Sequence, residues 1–182
     1  MNKIDELDKI LNKYYSSFIS KQYIPENDEL DILMQVFNID PLMKRKNKQY
    51  WGRELGKCWE ALIIETCKEC ESFEPALKVG NDEPCDLRIA GYAIDTKYRI
   101  GSGDSGTLKK FKQYSTLLKD YGYKPVLLFL REDNLPAAIN ACSAGGWDIL
   151  IGKQSFEFIK KLTGIDLEKY LKDRMNAFPV VK

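Results

Sequence analysis

Apolar side chains recur at Ile4, Leu7, Ile10, Leu11, Tyr14, Tyr15, Phe18 and Ile19, the three-to-four-residue period of one helix face. The same period returns at Leu30, Leu33, Met34 and Phe37, after Pro25-Glu26-Asn27. Asp40-Pro41 ends that stretch, because the residue before a proline is pushed away from the α region. Residues 1–50 thus read as a helical N-terminal region that closes on a basic connector over 44–50. A long helix is predicted over 53–72, with its stripe at Leu55, Trp59, Leu62, Ile63, Thr66 and Cys70. Glu60 flanks that stripe one turn after Gly56, and a glycine lets a helix approach a neighbour closely.

The period then changes from helical to alternating. Extended pieces are predicted at 76–79, 85–90 and 92–100. In the last two, Leu87, Ile89, Tyr92, Ile94, Thr96 and Tyr98 share one face, and Asp86, Arg88, Ala93, Asp95, Lys97 and Arg99 share the other. A Gly/Ser loop over 101–106 leads to a helix at 107–121 and a buried strand at 126–130. Another helix at 135–144, stopped by Gly145-Gly146, precedes a strand at 147–151. A helix at 155–162 is capped by Gly164, and Asp166 opens a last one at 167–175. This order predicts an α/β fold with a mixed central sheet flanked by helices, in which an antiparallel meander feeds parallel crossovers. The 182 residues read as one domain, with a catalytic core over 54–162 and a C-terminal helix over 165–176.

Composition narrows the chemistry. The chain has no histidine, which removes Ser-His-Asp and Cys-His catalysis, histidine-based nucleases and most zinc hydrolases. Acid–base work must then run on carboxylates, lysine, tyrosine or a metal. The cysteines are Cys58, Cys67, Cys70, Cys85 and Cys142. Cys67 and Cys70 form a C-x-x-C inside a helical pattern, without a second pair or a histidine to complete a zinc set, so buried reduced thiols are expected. The longest apolar runs fall far short of a membrane span, and the polar, acidic start does not resemble a signal peptide. The expectation is a cytoplasmic protein without a membrane partner.

Charge is uneven although the total is +1. Residues 58–86 carry two basic and eight acidic groups, whereas residues 41–57 carry six and one, and residues 87–125 carry eight and three. Basic blocks flanking an acidic one suit a polyanion bound around a cation pocket; a mixed solvated surface is the plain alternative.

The acidic block ends where the alternating pieces begin. A two-residue turn at Ala90-Gly91 pairs residues whose numbers sum to 181, which sets Asp86 opposite Asp95 with Lys97 on the same face. Like charges facing each other across a strand pair are destabilising. At ~5 Å and an effective dielectric near 20 the repulsion is about 3 kcal/mol. A divalent cation reverses that sign, and Mg²⁺ takes one or two carboxylates plus waters and phosphate oxygens. Lys97 can orient or deprotonate a water, or stabilise charge that develops on a phosphorus centre. The bland alternative is a soluble face on which Lys97 neutralises Asp95.

Pro84-Cys85-Asp86 followed by Asp95-Thr96-Lys97 at the end of an apolar strand resembles the PD-(D/E)xK nuclease superfamily. Gly56-Lys57-Cys58-Trp59-Glu60 is similar to the G-x-x-x-E helix that often supplies a further glutamate there, and the flanking elements fit its αβββαβ core over roughly residues 54–151. Cys85 stands where proline is the nominal neighbour of the aspartate. The resemblance implies Mg²⁺ held by Asp86, Asp95 and the Thr96 carbonyl, Lys97 near the attacking water, and Glu60 as an auxiliary ligand or organiser. It implies hydrolysis of DNA phosphodiesters leaving 5′-phosphates. Gln113-Tyr114 does not match the Gln-x-x-x-Tyr element of the exonuclease branches. The chain is most similar to type II restriction endonucleases, which implies double-stranded DNA as substrate and a homodimer, with 1–50 as a possible dimerisation region. A junction resolvase and a non-catalytic nucleic-acid or nucleotide-binding domain are the alternatives. The expected DNA contacts are Arg99, Ser102, Ser105, Lys109 and Lys110, although the two lysines also fit a merely solvated helix face.

Gly101-Ser102-Gly103-Asp104-Ser105-Gly106 is a literal G-x-G-x-x-G between a strand and a helix. The strand before it carries Asp95, Lys97 and Arg99, unlike the doubly buried strand of a dinucleotide fold, so a DNA-contacting loop is the preferred reading.

Overall fold

The computed structural model describes residues 3–103 and 105–181, and all their side chains but those of Lys3 and Ser105. Helix α1 (Lys3–Ser20) follows the first apolar stripe and leads to strand β1 (Gln22–Tyr23). Helix α2 (Ile32–Phe37) starts where the Asp31 carboxylate accepts the amides of Leu33 and Met34, and ends at Asn38 in the left-handed region, φ 52°. Asp40 then caps helix α3 (Pro41–Lys46) by accepting the Met43 amide. The expected basic connector is therefore helical. Pro41 ends one helix but opens the next, because proline's fixed φ and missing N–H suit a first turn. Asn47 caps α4 (Lys48–Cys67) through the Tyr50 amide. The long helix thus begins earlier than residue 53 and ends before residue 72, so the C-x-x-C straddles its end rather than lying inside it. All five cysteines are free thiols.

Strands β2 (Glu74–Pro75), β3 (Leu87–Ile89), β4 (Tyr92–Lys97) and β5 (Ser102–Gly103) come next, followed by α5 (Ser105–Asp120), β6 (Lys124–Phe129), α6 (Pro136–Ala144), β7 (Asp148–Ile151), α7 (Lys153–Thr163) and α8 (Leu167–Lys172). The extended piece expected at 76–79 is replaced by β2, and Val79 makes only an isolated bridge to Asp82. A two-stranded ribbon of β1 and β5 pairs Gln22 with Gly103 and Tyr23 with Ser102. Two-residue strands carry no periodicity, so nothing in the sequence announces this ribbon.

The main sheet has the order β2-β3-β4-β6-β7. β3 and β4 are antiparallel, pairing Leu87 with Ile94, Arg88 with Ala93 and Ile89 with Tyr92, which is the predicted register. The turn is also as predicted: Ala90 (φ 50°) and Gly91 (φ 79°) both occupy the left-handed region that a two-residue hairpin turn demands. β4 then pairs parallel with β6, and β6 with β7.

Both faces of this mixed α/β sheet are covered. On one, Leu87, Ile89, Ile94, Val126 and Leu128 pack with Trp59 and Ile63 of α4, Ile159 of α7 and Leu33 of α2. On the other, Ala93, Leu127 and Phe129 pack with Leu118 of α5 and Ala138 and Cys142 of α6. α4 lies across β4, and a Cβ added at Gly56 would sit 3.5 Å from that of Tyr98. That is ordinary contact, so an alanine fits there and the close approach does not require glycine. The strand β4 runs through the middle of this sandwich and carries Asp95 and Lys97 to its end.

Candidate active site

Asp86 precedes β3, and its amide donates to the Ile94 carbonyl at 2.8 Å. Ile94 is also the partner of Leu87, so the strict pairing gives way at Asp86 by one residue. The displacement has a consequence for the side chain. Asp86 Oδ2 accepts from both the Thr96 amide (2.6 Å) and the Thr96 hydroxyl (2.7 Å). Asp86 therefore does not simply face Asp95; it is anchored one step farther along β4. Its Oδ2 is engaged by Thr96, and the residue lines a cleft.

Asp95 is buried, 9% exposed, and its Oδ2 receives Lys97 Nζ at 2.6 Å. Lys97 Nζ also donates to the Thr96 carbonyl at 3.1 Å. An ammonium thus already sits against the carboxylate and the carbonyl oxygen that were expected to hold a cation. Burial first, then Asp86 and Glu60, push the Asp95 carboxyl up to about 7 against the pull of Lys97. Burial alone would lower Lys97, but Asp95, Asp86 and Glu60 outweigh it and hold its ammonium above the usual lysine range. Burial, followed by Asp86, raises Glu60. Glu60, half-buried on α4, therefore belongs to the same electrostatic cluster.

Asp86, Asp95 and Lys97 open into a cleft of about 490 Å³, further lined by Asp82, Glu83, Thr107, Lys110, Phe111 and Tyr114 among others. Its charged lining is four carboxylates (Asp82, Glu83, Asp86, Asp95) against two ammoniums (Lys97, Lys110). Asp82, Phe111 and Tyr114 join the site without having been expected from the sequence. Tyr114 donates its hydroxyl to Asp82 at 2.6 Å, and Lys110 lies 3.4 Å from the same carboxylate. The signal for Asp82 was Gly80-Asn81, a turn pair in which Gly80 has φ 62°; it folds this segment back over the cleft. The Lys97 ammonium also lies 5.8 Å from the Phe111 ring centre.

The donor set is one a hard cation accepts: carboxylate and carbonyl oxygens. Burial raises the adjacent Cys85 thiol, so it stays protonated and offers no soft ligand. No group of three or more Asp, Glu, Cys or His side chains gathers closely enough to hold a metal among the described residues. The fit therefore rests on two carboxylates and a carbonyl, the small set that Mg²⁺ uses.

The expected DNA contacts divide. Lys110 lines the cleft and Lys109 is exposed on α5. Ser102 is exposed but committed to the β1–β5 ribbon. The Ser105 side chain lies outside the described residues. Arg99 is a correction. It ion-pairs with Asp133 at 3.1 Å and donates to the Asp133 and Ile24 carbonyls at 2.9 and 2.7 Å, which turns it into the protein. β4 ends at Lys97, so the alternation that put Arg99 on the site face no longer applies two residues later. The G-x-G-x-x-G reading also loses its centre, since Ser102–Gly103 is a paired strand rather than a phosphate-cradling turn.

No family model, curated protein or solved structure matches this chain, so the site stands on its own geometry.

Proposed function

We propose that this chain is a divalent-cation-dependent phosphodiesterase acting on DNA, with Mg²⁺ held by Asp86, Asp95 and the Thr96 carbonyl. The observation that carries this reading is the surplus of carboxylates around Lys97 at the end of β4. An anionic phosphate enters such a cleft only if a cation offsets that surplus. The cation supplies Lewis acidity and charge neutralisation when bound. The chain's own residues do the rest. Thr96 holds Asp86 through two hydrogen bonds, which fixes one carboxylate without a flexible search. Lys97, kept cationic by its neighbours, stabilises negative charge on the phosphate and orients a water; a raised lysine is poorly suited to deprotonating one. Glu60 adds negative potential from α4, and Lys109 and Lys110 offer cations to the flanking phosphates.

Within that class, the particular reading is a type II restriction endonuclease that cuts double-stranded DNA at a specific sequence and leaves 5′-phosphates. It is supported by the resemblance at Asp86, Asp95-Thr96-Lys97 and Gly56–Glu60. In the main sheet, the order α4, β2, β3, β4, α5 and β6 also agrees with the αβββαβ order that the resemblance implies, with β5 as an added ribbon strand before α5. The test incubates the protein and its Asp95→Ala variant with phage DNA, with and without Mg²⁺. Discrete Mg²⁺-dependent fragments, absent with the variant, are expected. Cutting of branched DNA alone would move the assignment to a junction resolvase, and no cutting with any divalent metal would overturn the nuclease reading.

A further inference from the structure

The turn Val79-Gly80-Asn81-Asp82 forms one wall of the cleft, and it is held from several sides. Val79 and Asp82 exchange both backbone hydrogen bonds, at 2.9 and 3.1 Å. Gly80 has φ 62° and Asn81 does not share that region, the pattern of a type II′ turn. The turn is also tied to α5, because Asp82 accepts the Tyr114 hydroxyl at 2.6 Å and lies 3.4 Å from Lys110 Nζ. Glu83 pairs with Lys78 at 3.5 Å. Asn81 sits between these anchors, exposed and lining the same cleft as Asp86, Asp95 and Lys97. Its carboxamide makes no hydrogen bond among the described residues.

We propose that Asn81 is a specificity-determining residue that reads an adenine beside the scissile phosphate. The inference rests on the DNA-cleaving reading of the site and adds a base to it. Three observations select a base edge. First, this wall carries Asp82 and Glu83, so it repels a phosphate backbone and attracts hydrogen-bond donors, such as the exocyclic amino groups of bases. Second, the Asn81 carboxamide offers both donors and an acceptor. On the major-groove edge, adenine alone presents the matching pair, N6 as donor and N7 as acceptor. Guanine shows two acceptors there, cytosine an amino donor, and thymine an acceptor beside a methyl group. Third, the cross-turn bonds and the Asp82 anchor hold Asn81 in place before DNA arrives, so little freedom is lost on contact. The shared cleft also fixes which base is read. At about 490 Å³ it spans on the order of 8 Å, or roughly two base-pair steps, so the base lies next to the cut.

The test sequences the cut ends of a DNA library digested with Mg²⁺ by the whole chain, by Asn81→Ala and by Asn81→Asp. The parent is expected to cut with adenine at one fixed position, within roughly two base pairs of the break. Asn81→Ala should lower that preference by about 5- to 150-fold, the worth of one bidentate base contact. Asn81→Asp should move it towards cytosine, whose amino group donates to a carboxylate; a misfolded protein would not gain a new preference. Where a variant cuts too slowly, competition binding between duplexes that differ only at that base pair reads the same preference. An adenine preference unchanged in either variant, or a parent that cuts DNA without one, would overturn the inference and leave the nuclease reading standing. A parent that cuts no DNA would overturn both.

Discussion

Two charged clusters adjoin at the end of β4, one around Asp86, Asp95 and Lys97 and the other around Tyr98, and they differ in balance. Around Tyr98, Arg131 donates to Asp31 at 3.0 Å, to Asp133 at 2.8 Å and to the Asn27 side chain at 2.6 Å. Lys44 bonds Glu26 and Tyr98, and Tyr98 bonds Asp31. Three carboxylates (Glu26, Asp31, Asp133) meet three cations (Lys44, Arg99, Arg131), and little of either sign is left over. The cleft at Asp86 and Asp95 carries four carboxylates against two ammoniums. A buried cluster that closes on itself joins distant segments, here 24–31, 44 and 131–134. In the cleft, Lys97, Lys110 and Lys78 pair with Asp95, Asp82 and Glu83, but Asp86 has no cation of its own, and a cluster with such a surplus lowers its own stability.

The largest difference should appear in activity. Asp95→Ala is expected to lower DNA cleavage by about 1,000-fold or more while the protein stays folded, as gel assays and circular dichroism would report. Arg131→Met is expected to do the reverse. It takes a buried cation from Asp31 and Asp133, leaving Asp133 with Arg99 and Asp31 with Tyr98 and two amides, and should cost about 3–5 kcal/mol in urea unfolding, with cleavage per folded molecule retained. A balanced cluster that could be cut without loss of stability would break the comparison.

The two clusters should also respond to pH with opposite signs. Asp95 is raised from 3.8 to about 7, so its protonated form favours the folded state. That contribution is full below pH 3.8 and is lost as pH rises towards 7. Asp133 is lowered: burial opposes the shift, but the Arg131 hydrogen bond and charge outweigh it. Its contribution is present above pH 3.8 and is lost as pH falls through the lower folded value. At pH 8 without metal, Asp95→Asn should therefore stabilise by roughly 1–3 kcal/mol, and Asp133→Asn should destabilise. At pH 3 both effects should shrink. Thermal melts of the two variants across that range measure both signs. The smallest effect is expected at the turn. Ala90 has φ 50°, which costs an L-residue about 1–2 kcal/mol; part of this returns with Ala90→Gly, a gain of about 0.5–1 kcal/mol after glycine's entropy. Melting should shift and cleavage should not.

The cleft was more legible in the sequence than the balanced cluster, for a physical reason. Asp86, Asp95 and Lys97 lie on adjacent strands joined by a two-residue turn, so a period of two and the Ala90-Gly91 pair suffice to bring them together. Their exact relation was not legible, because the departure at Asp86 depends on Thr96 capturing its carboxylate. The balanced cluster joins residues about a hundred positions apart, such as Asn27 and Arg131, and no local period announces that. Lys44 was hidden in a basic run that looked solvated, yet it is 4% exposed. Helix starts shifted where Asp40-Pro41, read as a stop, opened α3 and Asn47 capped α4. One covered face of the hairpin was legible because Leu87, Ile89 and Ile94 alternate with Arg88 and Ala93.

The central claim is that the uncompensated carboxylates at the end of β4 hold a divalent cation. Mn²⁺ binding at pH 8, followed by paramagnetic resonance on the parent protein and on Asp95→Asn, tests it most directly. One Mn²⁺ per chain on the parent, displaced by Mg²⁺ and lost in the variant, is expected. Equal Mn²⁺ binding by the two proteins, or none by the parent, would contradict the account.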